Sequence, residues 1–187
     1  MLIKYIPNAL SSLRLILLIP FLISLWQQQY ILAFYLFIIA GVTDAIDGWL
    51  ARTFHWQSLL GSVIDPLADK LLVATSFISL SLIGILPWWL VSLVFLRDLT
   101  ICFGVIAWYL FIQENLKLKP TILSKINTTL QLILVIICLF ELAFSVYLYY
   151  FTPILITCTA ITTTASFIDY ALIWIRKASL KNSESPL

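Results

Sequence analysis

The sequence predicts an all-α integral membrane protein with six transmembrane helices, both termini cytoplasmic and a short interfacial helix at the N-terminus. Three observations predict it. Of 187 residues, 62% are hydrophobic and 11% charged, against about 25% charged in an ordinary soluble domain, and the mean hydropathy is +1.05. A soluble fold of this size has too little core to hide that much apolar surface. A helical span needs about 20 apolar residues, so six take about 120 of the 187 and leave only short connections. Finally, with the N-terminus inside, every Lys and Arg except Arg97 falls at or near the cytoplasmic side, as the positive-inside rule requires. This composition excludes a soluble enzyme, a nucleic-acid-binding domain and a disordered chain. The net charge of +2 is too small to imply a polyanionic partner.

The first span is expected over 10–26. Pro7 suits a break after a surface-lying N-terminal stretch, and Asn8 or residues 12–14 can cap the entry. FLISLWQQQ offers no small-x-small cleavage site, so the segment is expected to remain a span. The glutamines at 27–29 break the pattern before the second span, 30–50. A loop over 53–60 carries His55 beside Trp56, expected to be an ordinary polar loop residue. The third span, 62–84, ends at the Gly and Pro of 84–87. The fourth runs over 88–112, with the polar stretch 113–120 after it. The fifth, 124–144, and the sixth, 149–175, meet at a Tyr-rich turn. Residues 1–177 then form one membrane domain, and 178–187 a polar, mobile C-terminal tail. Cys102, Cys138 and Cys158 each sit alone in an apolar run and are expected to pack. Trp26, Tyr30, Trp88, Trp89, Tyr149 and Tyr150 suit an interfacial aromatic belt.

Four carboxylates interrupt the apolar pattern at one place. Asp44 and Asp47 end the second span, and Asp65 and Asp69 begin the third. Spacings of three and four put each pair on one helix face. Gly48 and Ala51 continue the first face, and Gly61 precedes the second by one turn. Four anions converging beside a membrane are costly unless neutralised. Oxygen-only ligands suit Mg²⁺, Mn²⁺ or Ca²⁺ rather than zinc. Four carboxylates exceed what one Mg²⁺ usually takes, so two divalent cations are expected, a common device for phosphoryl-type displacement.

Residues 44–69 read D-A-I-D-G-W-L-A-R, eight residues, then G-S-V-I-D-P-L-A-D. This resembles the signature of the CDP-alcohol phosphatidyltransferase family, D-x2-D-G-x2-A-R-x8-G-x3-D-x3-D, at every position. IPNALSSLR near the N-terminus and the six-span layout fit as well. The resemblance implies a CDP-linked lipid donor, usually CDP-diacylglycerol. It implies that Asp44, Asp47 and Asp65 hold two divalent metals, Mg²⁺ or Mn²⁺. Asp69 shares in metal binding and acts as general base on the acceptor hydroxyl. Gly48, Ala51 and Gly61 line the nucleotide pocket, Arg52 meets phosphate, and Asn8 touches the nucleotide. It also implies a homodimer. The cytoplasm-facing site fits a bacterial inner membrane, the expected location, and a mitochondrial inner membrane would fit it as well.

The acceptor is read from the later helices. FLRDLTICFG at 95–104, LKPTILSKINTTLQ at 118–131 and ITTTAS at 161–166 resemble cardiolipin synthases of the CDP-alcohol type, which use phosphatidylglycerol. The sister phosphatidylglycerophosphate synthases use glycerol 3-phosphate and commonly show R-E-x3-S-x-x-R and G-K-x-K-T. Here Asp98 follows Arg97, Val105 stands at the second Arg, and Asn127 at the second Lys. A phosphomonoester of nearly two charges wants several cationic donors. A pocket with Lys125 and Arg97 suits the singly charged phosphodiester of phosphatidylglycerol better. Glycerol 3-phosphate remains the alternative acceptor. Arg14, Lys117 and Lys119 could also reach the site, but are expected to be positive-inside anchors. Arg97 either contacts the acceptor or pairs with Asp169 as a brace, since Arg97 and Asp98 point about 100° apart on a helix. An ion-coupled transporter is the competing class, but its polar groups belong near the midplane, usually within inverted repeats, and no repeat is visible.

Overall fold

A computed structural model describes the backbone of residues 6–54, 59–112 and 121–184, and side chains over 13–43, 46, 70–103 and 121–172. The described residues are all-helical: α1 (Ile6–Trp26), α2 (Tyr30–Phe54), α3 (Leu59–Leu82), α4 (Trp88–Ile112), α5 (Ile122–Phe144) and α6 (Phe151–Glu184). Two of the described segments, Ile122–Phe144 and Phe151–Leu172, are long and apolar enough to cross a membrane, and Leu13–Trp26, Tyr30–Thr43 and Lys70–Leu82 are shorter apolar helices. Residues 1–5, where the interfacial helix was expected, lie outside the described residues, as do His55, Trp56, Lys117 and Lys119. No chain break separates Pro7 from the first span, because α1 already begins at Ile6. Proline is tolerated in a first helical turn, where its missing N–H has no intrahelical partner.

The chain divides into two compact units, each assembled from two stretches. The first contains residues 1–86 and 132–152. Within it α1 packs against α2 and α3. Phe21 of α1 meets Phe37 of α2 with ring centroids 5.7 Å apart. Phe34 of α2 reaches the α5 rings of Phe140 and Phe144, edge to face at 6.0 and 5.7 Å, the favoured arrangement of aromatic quadrupoles. Leu25, Phe77, Leu80, Leu134 and Leu139 complete the buried apolar centre. The second unit contains residues 87–131 and 153–187, with Leu90, Val94 and Leu155 among its buried apolar side chains.

The turns are closed by backbone capping. After α1, Gln28 N–H donates to Leu25 O at 3.1 Å and Gln29 N–H to Ser24 O at 2.8 Å. This is a Schellman ending with Gln28 in the left-handed region at φ 59°. After α3, Gly84 takes that role at φ 89°, with Ile85 N–H donating to Leu80 O at 2.9 Å. The α5–α6 turn is held by a side chain. Glu141 Oε1 accepts from Leu148 N–H at 2.8 Å and from the Thr152 hydroxyl at 2.7 Å, fixing the start of α6.

Three expectations need correction. Cys102 is exposed rather than packed, because it shares an outward apolar face of α4 with Leu96, Leu99 and Phe103. Arg14 is 2% exposed, so it is no surface anchor but a buried cation of α1. The residues from 178 onward do not leave the helix at once, since α6 continues to Glu184. Their Ala, Leu, Lys and Ser residues extend a helix at little propensity cost.

The Glu141 tie generates a prediction. Glu141→Ala removes two charge-assisted bonds and is expected to destabilise the protein by about 2 kcal/mol, lowering Tm by about 4–8 °C. Thermal unfolding in detergent measures this, and Glu141→Gln, which keeps an acceptor oxygen, is expected to recover most of the loss.

Candidate active site

The signature residues occupy two helices of the first unit. Asp44, Asp47, Gly48, Ala51 and Arg52 lie on α2, and Gly61, Asp65 and Asp69 on α3. Both helices run unbroken through these positions, so spacings of three and four residues are one-face spacings. Asn8 falls in the first turn of α1. The side chains of all these residues lie outside the described ones. Among the described residues no group of three His, Cys, Asp or Glu is placed to hold a metal ion. The donor set on α2 and α3 is nevertheless oxygen-only and fourfold anionic, chemistry that fits a hard divalent cation.

In the second unit the chemistry centres on Arg97 of α4. It is 1% exposed, and its guanidinium is tied on every side. Nη1 donates to Asp98 Oδ1 at 2.6 Å. Nη2 donates to the Ser124 hydroxyl at 2.5 Å and to the Ser166 hydroxyl at 2.9 Å. Nε reaches Ser166 Oγ at 3.3 Å, and the Tyr170 ring lies 6.0 Å from the guanidinium carbon. One cation therefore joins α4, α5 and α6. The expectation that Arg97 and Asp98 are poorly placed to pair is overturned. Their Cα–Cβ bonds diverge, but the long arginine stem folds back to the short carboxylate beside it. The α6 contribution comes from Ser166 and Tyr170, with Asp98 in the ion pair where Asp169 was weighed.

Ser124 is itself positioned by a helix cap. Thr121 Oγ1 accepts Ser124 N–H at 3.2 Å, the bond of an N-cap threonine. Lys125, the next residue, is exposed and stands outside the Arg97 cluster.

Below this cluster runs a polar seam that the sequence reading left unassigned. Thr162 and Thr163 hydroxyls of α6 meet Asn127 Oδ1 of α5 at 2.9 and 2.8 Å. Asn127, Gln131, Thr159, Thr163 and Ser166 are all buried. The signal was present in the spacing: 124, 127 and 131 on α5, and 159, 163 and 166 on α6, are polar positions three and four apart.

Comparisons with known proteins follow the same lines. The sequence profile of the CDP-alcohol phosphatidyltransferases matches residues 4–174. A "Cardiolipin synthase (CMP-forming)" of Rattus norvegicus is 35% identical over 184 residues, covering 88% of this chain and 60% of that protein. The human protein of the same description is 34% identical with the same coverage. A "Probable phosphatidylglycerophosphate synthase" of Mycobacterium tuberculosis is 30% identical over 174 residues, covering 90% of this chain and 80% of that protein. The chain thus spans about 60% of the length of the two cardiolipin synthases.

Arg97→Met is expected to destabilise the protein by about 3 kcal/mol, because it strips a buried ion pair of one partner and frees two serine hydroxyls. Arg97→Lys, which keeps the charge but not the planar fork, should fall between the two. Unfolding midpoints in detergent measure both. An unchanged midpoint in Arg97→Met would contradict the bracing role.

Proposed function

The chain belongs to the CDP-alcohol phosphatidyltransferase family, and on that premise we propose that it moves a phosphatidyl group from CDP-diacylglycerol to an alcohol and releases CMP. The observation that carries this is the unbroken signature from Asp44 to Asp69 on two continuous helices. The acceptor oxygen bonds to the phosphorus that carries diacylglycerol, and the bridging oxygen leaves with CMP. Asp69 takes the proton of the acceptor hydroxyl, because an alcohol is a weak nucleophile at neutral pH. Asp44, Asp47 and Asp65, with Asp69, hold two divalent cations, Mg²⁺ or Mn²⁺. When bound, these offset the charge of the pyrophosphate and of departing CMP. Gly48, Ala51 and Gly61 leave room for the nucleotide close to the backbone. Arg52 pairs with phosphate, and Asn8 contacts the nucleotide.

Phosphatidylglycerol, giving cardiolipin, is the acceptor we favour. Its support is the absence of the second cations at Val105 and Asn127. The two relatives described as cardiolipin synthases add to it. Glycerol 3-phosphate is the second reading, favoured by the mycobacterial relative. Lys125, exposed in the first turn of α5, is free to meet the acceptor phosphate. Arg97, hydrogen-bonded to Asp98, Ser124 and Ser166, acts as the brace.

The protein works as a multi-pass domain of residues 1–177 with its polar tail at 178–187, six spans, both termini cytoplasmic, as a homodimer in a bacterial inner membrane. Apolar exposure supports a lipid setting: Ile16, Ile19, Ile23, Leu96, Phe103, Ile154 and Ile161 all face outward. Trp26, Trp88, Trp89, Tyr147, Tyr149 and Tyr150 are exposed at the ends of α1 and α5 and the starts of α4 and α6, where an aromatic belt belongs.

Purified protein given labelled CDP-diacylglycerol should release CMP, and chromatography should find cardiolipin when phosphatidylglycerol is offered. Phosphatidylglycerophosphate formed from glycerol 3-phosphate, with nothing from phosphatidylglycerol, would favour the second reading. Asp69→Asn is expected to slow turnover by about 10²–10⁴-fold while donor binding persists. Full activity in that variant would remove Asp69 as the base.

A further inference from the structure

Arg14 is a cation at 2% exposure on α1 of the first unit, and a buried charge is tolerated only beside an opposite one. Its level in that unit follows from register. Residues 27–29 alone separate α1 from α2, so the two packed helices run antiparallel. Phe21 of α1 meets Phe37 of α2. One turn nearer the connection, Leu25 and Ala33 are both buried, at 1% and 0%. Seven residues from Phe21 in the other direction, two turns along one face, lies Arg14. Seven residues beyond Phe37 lies Asp44. Positions 14 and 44 therefore share one level of the α1–α2 contact. Position 44 also continues the line of Ala33, Phe37 and Ala40, all buried.

Charge points to the same place. The sequence of the first unit carries five carboxylates: Asp44, Asp47, Asp65, Asp69 and Glu141. Glu141 is bonded to Leu148 and Thr152, and its neighbour Phe140 meets Phe34 of α2. Position 34 is ten residues from position 44, about 15 Å along the helix. Arg14 therefore belongs with the signature carboxylates, and register picks out Asp44 among them. Packed helices stand about 8–10 Å apart, a gap that an arginine stem and a short carboxylate close together.

A carboxylate has two acceptor oxygens with about four lone pairs. It can accept from a guanidinium and still face a cation, and a partner of this kind sets the orientation of a ligating group. A fixed positive charge also offsets part of the repulsion among neighbouring carboxylates before any metal arrives.

Resting on the metal-dependent transfer proposed above, we propose that Arg14 is a positioning residue, pairing with Asp44 across the α1–α2 contact and fixing how that carboxylate meets the divalent cations.

Electron paramagnetic resonance of Mn²⁺ with the purified protein, without and with CDP-diacylglycerol, reads the metal rather than turnover. In Arg14→Met, Mn²⁺ affinity is expected to fall about 10- to 100-fold in both arms. Arg14→Lys, which keeps the charge without the planar fork, should recover part of it. Unchanged or tighter binding in Arg14→Met would overturn the inference, since a cation merely near the site repels the metal and its removal favours binding. A loss seen only with the lipid would make Arg14 a donor contact and overturn it too. A second measurement needs no metal: unfolding midpoints in excess chelator for Arg14→Met, Asp44→Asn and the double variant. Removing one partner strands a buried charge, whereas removing both does not. The double variant should therefore be at least as stable as Arg14→Met, and losses that simply add would overturn the pairing. Mn²⁺ binding that Arg14→Met leaves unchanged still leaves the metal-dependent transfer intact. A wild-type protein that binds no Mn²⁺ in either arm overturns both.

Discussion

Polar groups in an apolar helical protein must find their partners inside the protein, and the Arg97 guanidinium is where that constraint is felt most. An arginine at 1% exposure would be prohibitive alone. Its charge is matched by Asp98, and its remaining donors by serines of α5 and α6. Three helices of the second unit are thereby tied at one level by a buried cation. Thr121 caps the helix that carries Ser124 and bonds its N–H. The order runs from a capping residue to a helix start, then to a serine hydroxyl, then to a buried cation.

The first unit solves a different problem. It carries the signature helices, and ring contacts join α1, α2 and α5 within it. Its turns are terminated by left-handed residues, Gln28 and Gly84. A rigid apolar frame of this kind suits a site whose donors are carboxylates on adjoining helices. The frame need not offset the repulsion among the carboxylates, because the proposed cations would do so.

Much of this was legible from the residues. Glutamines at 27–29 and the Gly–Pro stretch at 84–87 marked the turns, since both interrupt the apolar pattern with residues suited to helix ends. The four aspartates stood out because carboxylates are rare in apolar helices. What escaped depends on side-chain reach and facing. Arg97 and Asp98 diverge by backbone geometry, yet a four-bond side chain closes the gap. Cys102 is apolar in sequence context but faces outward with Phe103. Arg14 counts as a basic residue near an interface, yet it is buried. The seam between α5 and α6 showed in the sequence only as polar positions three and four apart on each helix, and which of them meet, Asn127 with Thr162 and Thr163, depends on how the helices pack. The end of α6 was underestimated because polar residues such as those at 178–184 break a hydropathy pattern without breaking a helix.

The central claim is that the four carboxylates on α2 and α3 act through bound divalent cations. Counting Mn²⁺ by electron paramagnetic resonance on the purified protein in the presence of CDP-diacylglycerol tests it most directly. The account predicts two bound ions per chain, with a loss of binding in Asp65→Asn that parallels the loss of CMP release. A protein that binds no Mn²⁺ above background, or keeps both ions in that variant, would contradict it.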